Sequence, residues 1–379
     1  MTSTYLDWNA TAPLSSAARA AWLAAQDEAW GNPGSVHAFG QRARHRLDEA
    51  RAMIAADLGC RAHELVLTSG GSEANSTAIR AALAAGPGEV AASAIDHSSV
   101  LRTIAATPGA TVRMLGVDGD GRLAPATVRA AIGVSTRLLC LQFANNELGV
   151  LQDVAGVVAA ARSAVPGVAV LLDAAQGAGK RPLDLHALGV DYASVAGHKF
   201  GAAKGIGVLY VRQGAALPPL ITGGRQQQDR RSGTEDAALA AGLAAALHDR
   251  LVGWQAEDAR QRALLDHGFA RIAAALPACR WLAHDAPRLA NTMNLIHPGV
   301  AGAALVTRLD LAGFAVSTGA ACMAARGEAS HVVAALGLAS DLSRSAIRVS
   351  IGPATTAEEI EGFAAAYVTA VCALSGNPR

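Results

Sequence analysis

Lysine is scarce in this chain. Its 379 residues hold three, Lys180, Lys199 and Lys204, against 29 arginines. The net charge is +1 with no basic run, which argues against nucleic acid or an anionic membrane as a partner. No uninterrupted apolar run reaches the length of about 18 residues that a membrane span needs. The opening "MTSTYLDWNATAP" lacks the charged-then-apolar plan of a signal peptide, so a cytoplasmic protein is expected. The five cysteines (Cys60, Cys140, Cys279, Cys322 and Cys372) are scattered and form no C-x-x-C pair. That spacing speaks against a disulfide framework or a zinc site.

What is present suits a large core: 51% of residues are apolar and 17% charged. Short apolar runs at 64–69, 89–95, 111–117, 137–144, 168–173, 191–197 and 206–212 read as strands. Ala-rich stretches of helical periodicity, such as 122–132 and 153–164, separate most of them. Strand–helix alternation at this spacing predicts an α/β fold with a largely parallel sheet flanked by helices. Beyond about residue 235 long helical patterns take over, with short strands near 291–296, 314–317 and 346–351. These predict a second, smaller α+β domain. The expected division is a large domain over 14–253 and a small one made of 1–13 and 254–379.

Polar residues cluster after the predicted strands: Thr68-Ser69-Gly70-Gly71-Ser72-Glu73, Asp96-His97, Asn145-Asn146-Glu147, Asp173-Ala174-Ala175-Gln176 and Gly197-His198-Lys199. In open α/β sheets the carboxyl edge is where ligands bind. Any one of these alone reads as a helix cap or turn, and His97 in particular as a helix-capping or core histidine. Together they describe a site. A lysine can form a Schiff base with an aldehyde cofactor, which a guanidinium cannot. Asp173 at a strand end can keep a pyridinium nitrogen protonated, making the ring an electron sink. Gly70-Gly71-Ser72 at a helix start can hold a phosphate, and His97 can stack on a flat ring and move protons. The combination predicts a pyridoxal 5′-phosphate site.

Competing motifs fail on inspection. "AAQGAGKRP" looks like a P-loop, but Ala174 replaces its first glycine and Arg181 the Ser or Thr after Lys180. "VDGDGRL" lacks the final glutamate of a calcium loop, since Arg129 stands at the twelfth position. No strand–G-x-G-x-x-G–helix unit supports a nicotinamide enzyme.

The ordered set Y-L-D-x-N-A-T (5–11), G-N-P-x-S-x-H (31–37), T-S-G-G-S-E-A-N (68–75), N-N-E-x-G (145–149), D-A-A-Q (173–176), G-H-K (197–199), R-S-G-T (231–234), S-T-G-A-A-C (317–322) and S-A-I-R-V-S (345–350) resembles the cysteine desulfurases. These are class V, fold-type I pyridoxal-phosphate enzymes, and the resemblance spans nearly the whole chain. It implies that Lys199 bonds the cofactor, Asp173 pairs with its ring nitrogen, Gln176 contacts its ring hydroxyl and His97 stacks on it. Gly71, Ser72 and His198 would surround the phosphate, with Thr234 reaching in from a neighbouring subunit of a homodimer. Asn146 and Arg348 would hold the carboxylate of L-cysteine. Cys322 would take the sulfur on a mobile loop of about 320–329 and pass it to an acceptor protein, an iron–sulfur scaffold or a sulfurtransferase. That loop belongs to the long-loop branch of the family. Two positions depart from the family: Ala196 replaces a serine that contacts the phosphate, and Gly223–Asp229 differs near the expected entrance. Other readings are a selenocysteine lyase or another class V aminotransferase, and a catalytically silent scaffold.

Overall fold

The computed structural model describes residues 3–319 and 330–375. Its strands are β1 (Thr4–Tyr5), β2 (Leu65–Thr68), β3 (Gly88–Ser93), β4 (Ala110–Leu115), β5 (Thr136–Gln142), β6 (Ala169–Asp173), β7 (Tyr192–Ala196), β8 (Gly207–Val211), β9 (Arg280–Trp281), β10 (Thr292–Ile296), β11 (Phe314–Ala315) and β12 (Ile347–Ser350). Helices used below are α1 (Ser16–Glu28), α2 (Ala38–Asp57), α3 (Gly71–Ala82), α4 (Ser98–Ala106), α5 (Pro125–Ala131) and α6 (Val154–Ala164); later ones are given by residue range.

Successive strand residues face opposite sides of a sheet, and in the central strands both sets are apolar. Leu139, Leu141, Val170, Leu172, Ala193 and Val195 pack on one face with α2, α6 and the helix Ala237–Leu251. Leu138, Cys140, Leu171 and Tyr192 pack on the other with α3 and α4. The pattern requires helices on both sides, which the connections supply. The resulting seven-stranded sheet has the order β2-β8-β7-β6-β5-β3-β4. Only β8 runs against its neighbours; β3, β4, β5, β6 and β7 pair in parallel. The predicted sheet is therefore observed, with one reversed strand.

The later part of the chain builds an antiparallel sheet, β12-β10-β9. Its apolar face meets Leu265 and Ile272 of the helix Trp254–Ala275 and Ile360, Phe363 and Tyr367 of the helix Ala357–Leu374. The strand expected at 314–317 differs from its prediction. Only Phe314 and Ala315 form it, and they pair in parallel with β1, while Ser317 makes a single bridge to Arg348. Two-residue strands such as β1 and β9 carry no periodicity to read.

The segment after β1 ties the two sheets together. Ser350 donates its N–H to the Leu6 carbonyl at 2.8 Å, and the Trp8 N–H reaches the Ser350 carbonyl at 3.2 Å. Four residues on, the Ala12 N–H donates to the carbonyl of His198, just beyond β7, at 2.8 Å. This strap sets Asn9 between the sheets.

Near the edge strand β2, Gln227, Gln228 and Asp229 take consecutive left-handed conformations (φ 50°, 60° and 61°). The conformation is costly for residues with a Cβ. The buried Gln227 side chain offsets it: Nε2 donates to the Leu67 carbonyl at 2.9 Å, and Oε1 accepts from the Leu67 N–H at 2.7 Å and from Arg51 at 2.8 Å. Part of the open edge of β2 is thus closed by a side-chain amide.

Candidate active site

The five polar clusters all lie where β2, β3, β5, β6 and β7 end at the same edge of the sheet. Lys199 ends the short turn Gly197–Lys199 directly after β7. Its Nζ donates to the carbonyls of Asn9 at 2.8 Å and Ala10 at 2.9 Å. Burial, and then the nearby Arg348, lower the pKa of this amine to about 8.

Asp173 closes β6 and is buried. Its Oδ2 accepts from Asn75 Nδ2 at 2.9 Å and its Oδ1 from the Ala175 N–H at 3.0 Å. Asn75 comes from α3, so the helix that begins at Gly71 also aims the carboxylate. Gly70 precedes α3 without a side-chain cap, which leaves N–H groups of the first turn, including those of Gly71 and Ser72, available to an anion. Ala196 borders that turn: a Cβ on Gly71 would lie 3.4 Å from the Ala196 Cβ. The serine hydroxyl that the resemblance led one to expect there is absent.

His97 caps α4, its Nδ1 accepting from the Ser99 N–H at 3.1 Å. The capping role considered from sequence is real, and it fixes the imidazole at the site. Desolvation lowers the His97 pKa against the opposing pull of Asp173. His198 bonds Thr11 Oγ1 through Nδ1 at 3.2 Å, and burial followed by the charge of Lys199 lowers its pKa to about 4.

Arg348 on β12 is buried. It donates to Asp7 Oδ1 at 2.5 Å, to the Gly319 carbonyl at 3.0 Å and to the Asn146 carbonyl at 3.2 Å. Asn9 Nδ2 reaches the same Asn146 carbonyl at 3.1 Å. Gln176 Nε2 donates to the Asn9 carbonyl at 3.0 Å. Lys199, Gln176, Asn146 and Arg348 thus converge around one asparagine. Thr234 is exposed and stands apart from this network. Cys322 and its expected mobile loop lie outside the described residues. Gly319 and Ser330, on either side of that segment, both meet Glu147. The Ser330 hydroxyl donates to Glu147 Oε2 at 2.6 Å, and a Cβ on Gly319 would overlap the same oxygen.

Sequence reasoning left Asp7, Asn9, Asn75, Glu147 and Lys180 without roles. All but Lys180 stood inside the ordered set of motifs that carries the resemblance, which was the available signal.

The donor set fits pyridoxal 5′-phosphate. An amine of lowered pKa, a buried carboxylate and an uncapped helix start match its aldehyde, ring nitrogen and phosphate. Comparisons with known proteins agree. The Aminotransferase class-V family model matches residues 4–363. A cysteine desulfurase of Cereibacter sphaeroides is 39% identical over 367 residues, covering 95% of this chain and 94% of that protein. Among solved structures, a NifS-like protein superposes with a TM-score of 0.90 at 27% identity, covering 98% of this chain and 99% of the other. SspA in complex with cysteine does so at 0.82 and 28%, covering 93% and 99%. The chain belongs to the class-V aminotransferase family, and within it to the cysteine desulfurases, with pyridoxal 5′-phosphate as cofactor.

Proposed function

We propose that this chain works as a cytoplasmic homodimer that moves sulfur from free L-cysteine onto Cys322, releases L-alanine, and hands the persulfide sulfur to an acceptor protein. The acceptor we infer is an iron–sulfur scaffold or a sulfurtransferase. In this reading residues 14–253 form the cofactor domain, and 1–13 with 254–379 form the smaller domain carrying Cys322. One observation carries the reading: the amine of Lys199 and the guanidinium of Arg348 are bridged by only Asn9 and Asn146. The charge of Arg348 acts on the Lys199 amine, and a base and a carboxylate binder facing one site suit an α-amino acid.

Asp173, Gln176, His97, Gly71, Ser72 and His198 would hold the cofactor, with Thr234 of the second subunit at its phosphate. When bound, pyridoxal 5′-phosphate supplies an aldehyde carbon for amines and a ring that accepts the electron pair from Cα. Arg348 binds the substrate carboxylate and Asn146 helps orient it. Lys199 Nζ takes the Cα proton, a task suited to an amine with a pKa near 8. The Cys322 thiolate attacks the substrate sulfur; the new S–S bond forms as the substrate C–S bond breaks, and the carbon is then protonated to give alanine. His97 takes or delivers the thiol proton.

The test is mass spectrometry of the protein after incubation with L-cysteine, together with sulfide and alanine assays. The expected result is one added sulfur on the Cys322 peptide and loss of desulfuration in Cys322→Ala. Sulfur on Cys60, Cys140, Cys279 or Cys372 instead, or full activity of the variant, would end the assignment.

A further inference from the structure

The segment "AAQGAGKRP", unsuited to a phosphate loop, contains a lysine that the chemistry above does not use. The Lys180 amine donates to Gln176 Oε1 at 2.7 Å and to Asn9 Oδ1 at 2.8 Å. Burial lowers its pKa well below the ordinary lysine value, and the charges that act on it, Lys199, Arg250 and Arg348, push the same way. A buried cation kept for its charge needs a carboxylate. This amine meets two amide oxygens instead, and its neutral form has two N–H groups to give them. An arginine, permanently charged with five donors in a planar fork, does not match two separate acceptors.

A glutamine amide can turn over, exchanging oxygen and nitrogen with little change of shape. Lys180 removes that freedom. With Oε1 taken, Nε2 must point the other way. There it gives one hydrogen to the Asn9 carbonyl and keeps a second for another acceptor. Asn9 is fixed by the same amine, and its carbonyl also receives Lys199.

We propose that Lys180 is a positioning residue for the cofactor: it locks the Gln176 amide so that an N–H is free to donate to an oxygen on the pyridoxal ring. The inference rests on the reading of Gln176 as a cofactor contact. A double-mutant cycle on the full-length chain, with Lys180→Met and Gln176→Leu, tests it by equilibrium dialysis of pyridoxal 5′-phosphate. Thermal melting of the cofactor-free proteins checks folding, and Lys180→Leu replaces Lys180→Met if the latter does not fold. Lys180→Met is expected to weaken cofactor binding roughly tenfold alone, the scale of one lost hydrogen bond to a polar group. In the Gln176→Leu background the loss should shrink to under about twofold, because coupled residues are not additive. An equal loss in both backgrounds would mean that Lys180 only supports the fold, and would overturn the proposal. So would unchanged affinity in Lys180→Met, while a loss in Gln176→Leu alone would leave the reading of Gln176 intact. If Gln176→Leu binds as tightly as the unaltered protein, that reading fails and the inference falls with it.

Discussion

Lys199 meets two backbone carbonyls with an amine whose pKa is brought to about 8. Only a neutral amine attacks an aldehyde, so cofactor uptake by the cofactor-free protein should speed up with pH and level off just above 8. Stopped-flow absorbance would measure it. A rate that keeps climbing toward the ordinary lysine value of 10.5 would contradict the buried setting. Stability follows the same shift. Between pH 8 and 10.5 the unfolded chain binds the Lys199 proton more readily than the folded one. The cofactor-free protein should therefore gain stability as pH rises through that window, and Lys199→Met should lose part of that slope, the rest belonging to Lys180, whose pKa is lowered in the same direction. The residues whose chemistry is distinctive (Lys199, Asp173 and His97) were legible in the sequence because each names its own task. Asn9 was not, because it meets Lys199 and Gln176 through its backbone carbonyl, which any residue type carries. Lys180 was hidden by a resemblance to a different motif.

At the level of elements, the apolar runs at 64–69 through 206–212 matched the strands of the main sheet, most of them because burial on both faces leaves an unbroken signal; β4, at the sheet edge, is largely exposed and showed itself through Val112 and Met114. The direction of β8 was not legible, since side-chain pattern is blind to strand polarity. Nor was the left-handed turn at Gln227–Asp229, where three residues with side chains take a conformation that usually marks glycine. The turn makes an opposed pair of expectations. Gln228 is exposed, so Gln228→Gly should stabilise the protein by about 1 kcal/mol through relief of backbone strain. Gln227→Ala should destabilise it by about 2–3 kcal/mol, because the Leu67 N–H and carbonyl and Arg51 lose their partner. Urea unfolding of the cofactor-free variants reads both. If Gln227→Ala unfolds at the same urea concentration as the unaltered protein, the amide plays no part in closing the sheet edge.

For the molecule as a whole, the exposed Thr234 is the residue that most needs a second chain. If it contacts phosphate across a two-fold axis, Thr234→Ala should weaken cofactor binding without altering the fold of a single chain, and light scattering should report a dimer at assay concentration. A fully active monomer would rule this out. The strap through Asn9 has a consequence in the order of synthesis. Asn9 leaves the ribosome well before Ser350, yet its N–H donates to the Ser350 hydroxyl, 341 positions later. At about 5–20 residues per second, the opening of the chain waits on the order of tens of seconds for that partner. Until then the strap that carries the carbonyls receiving Lys199 is held from the main sheet without its ties to β12. The main sheet can assemble while the chain is still growing, but the complete pocket cannot. Capture of the cofactor in its final setting therefore waits for β12, and a nascent chain halted before β12 would carry the lysine without the complete site.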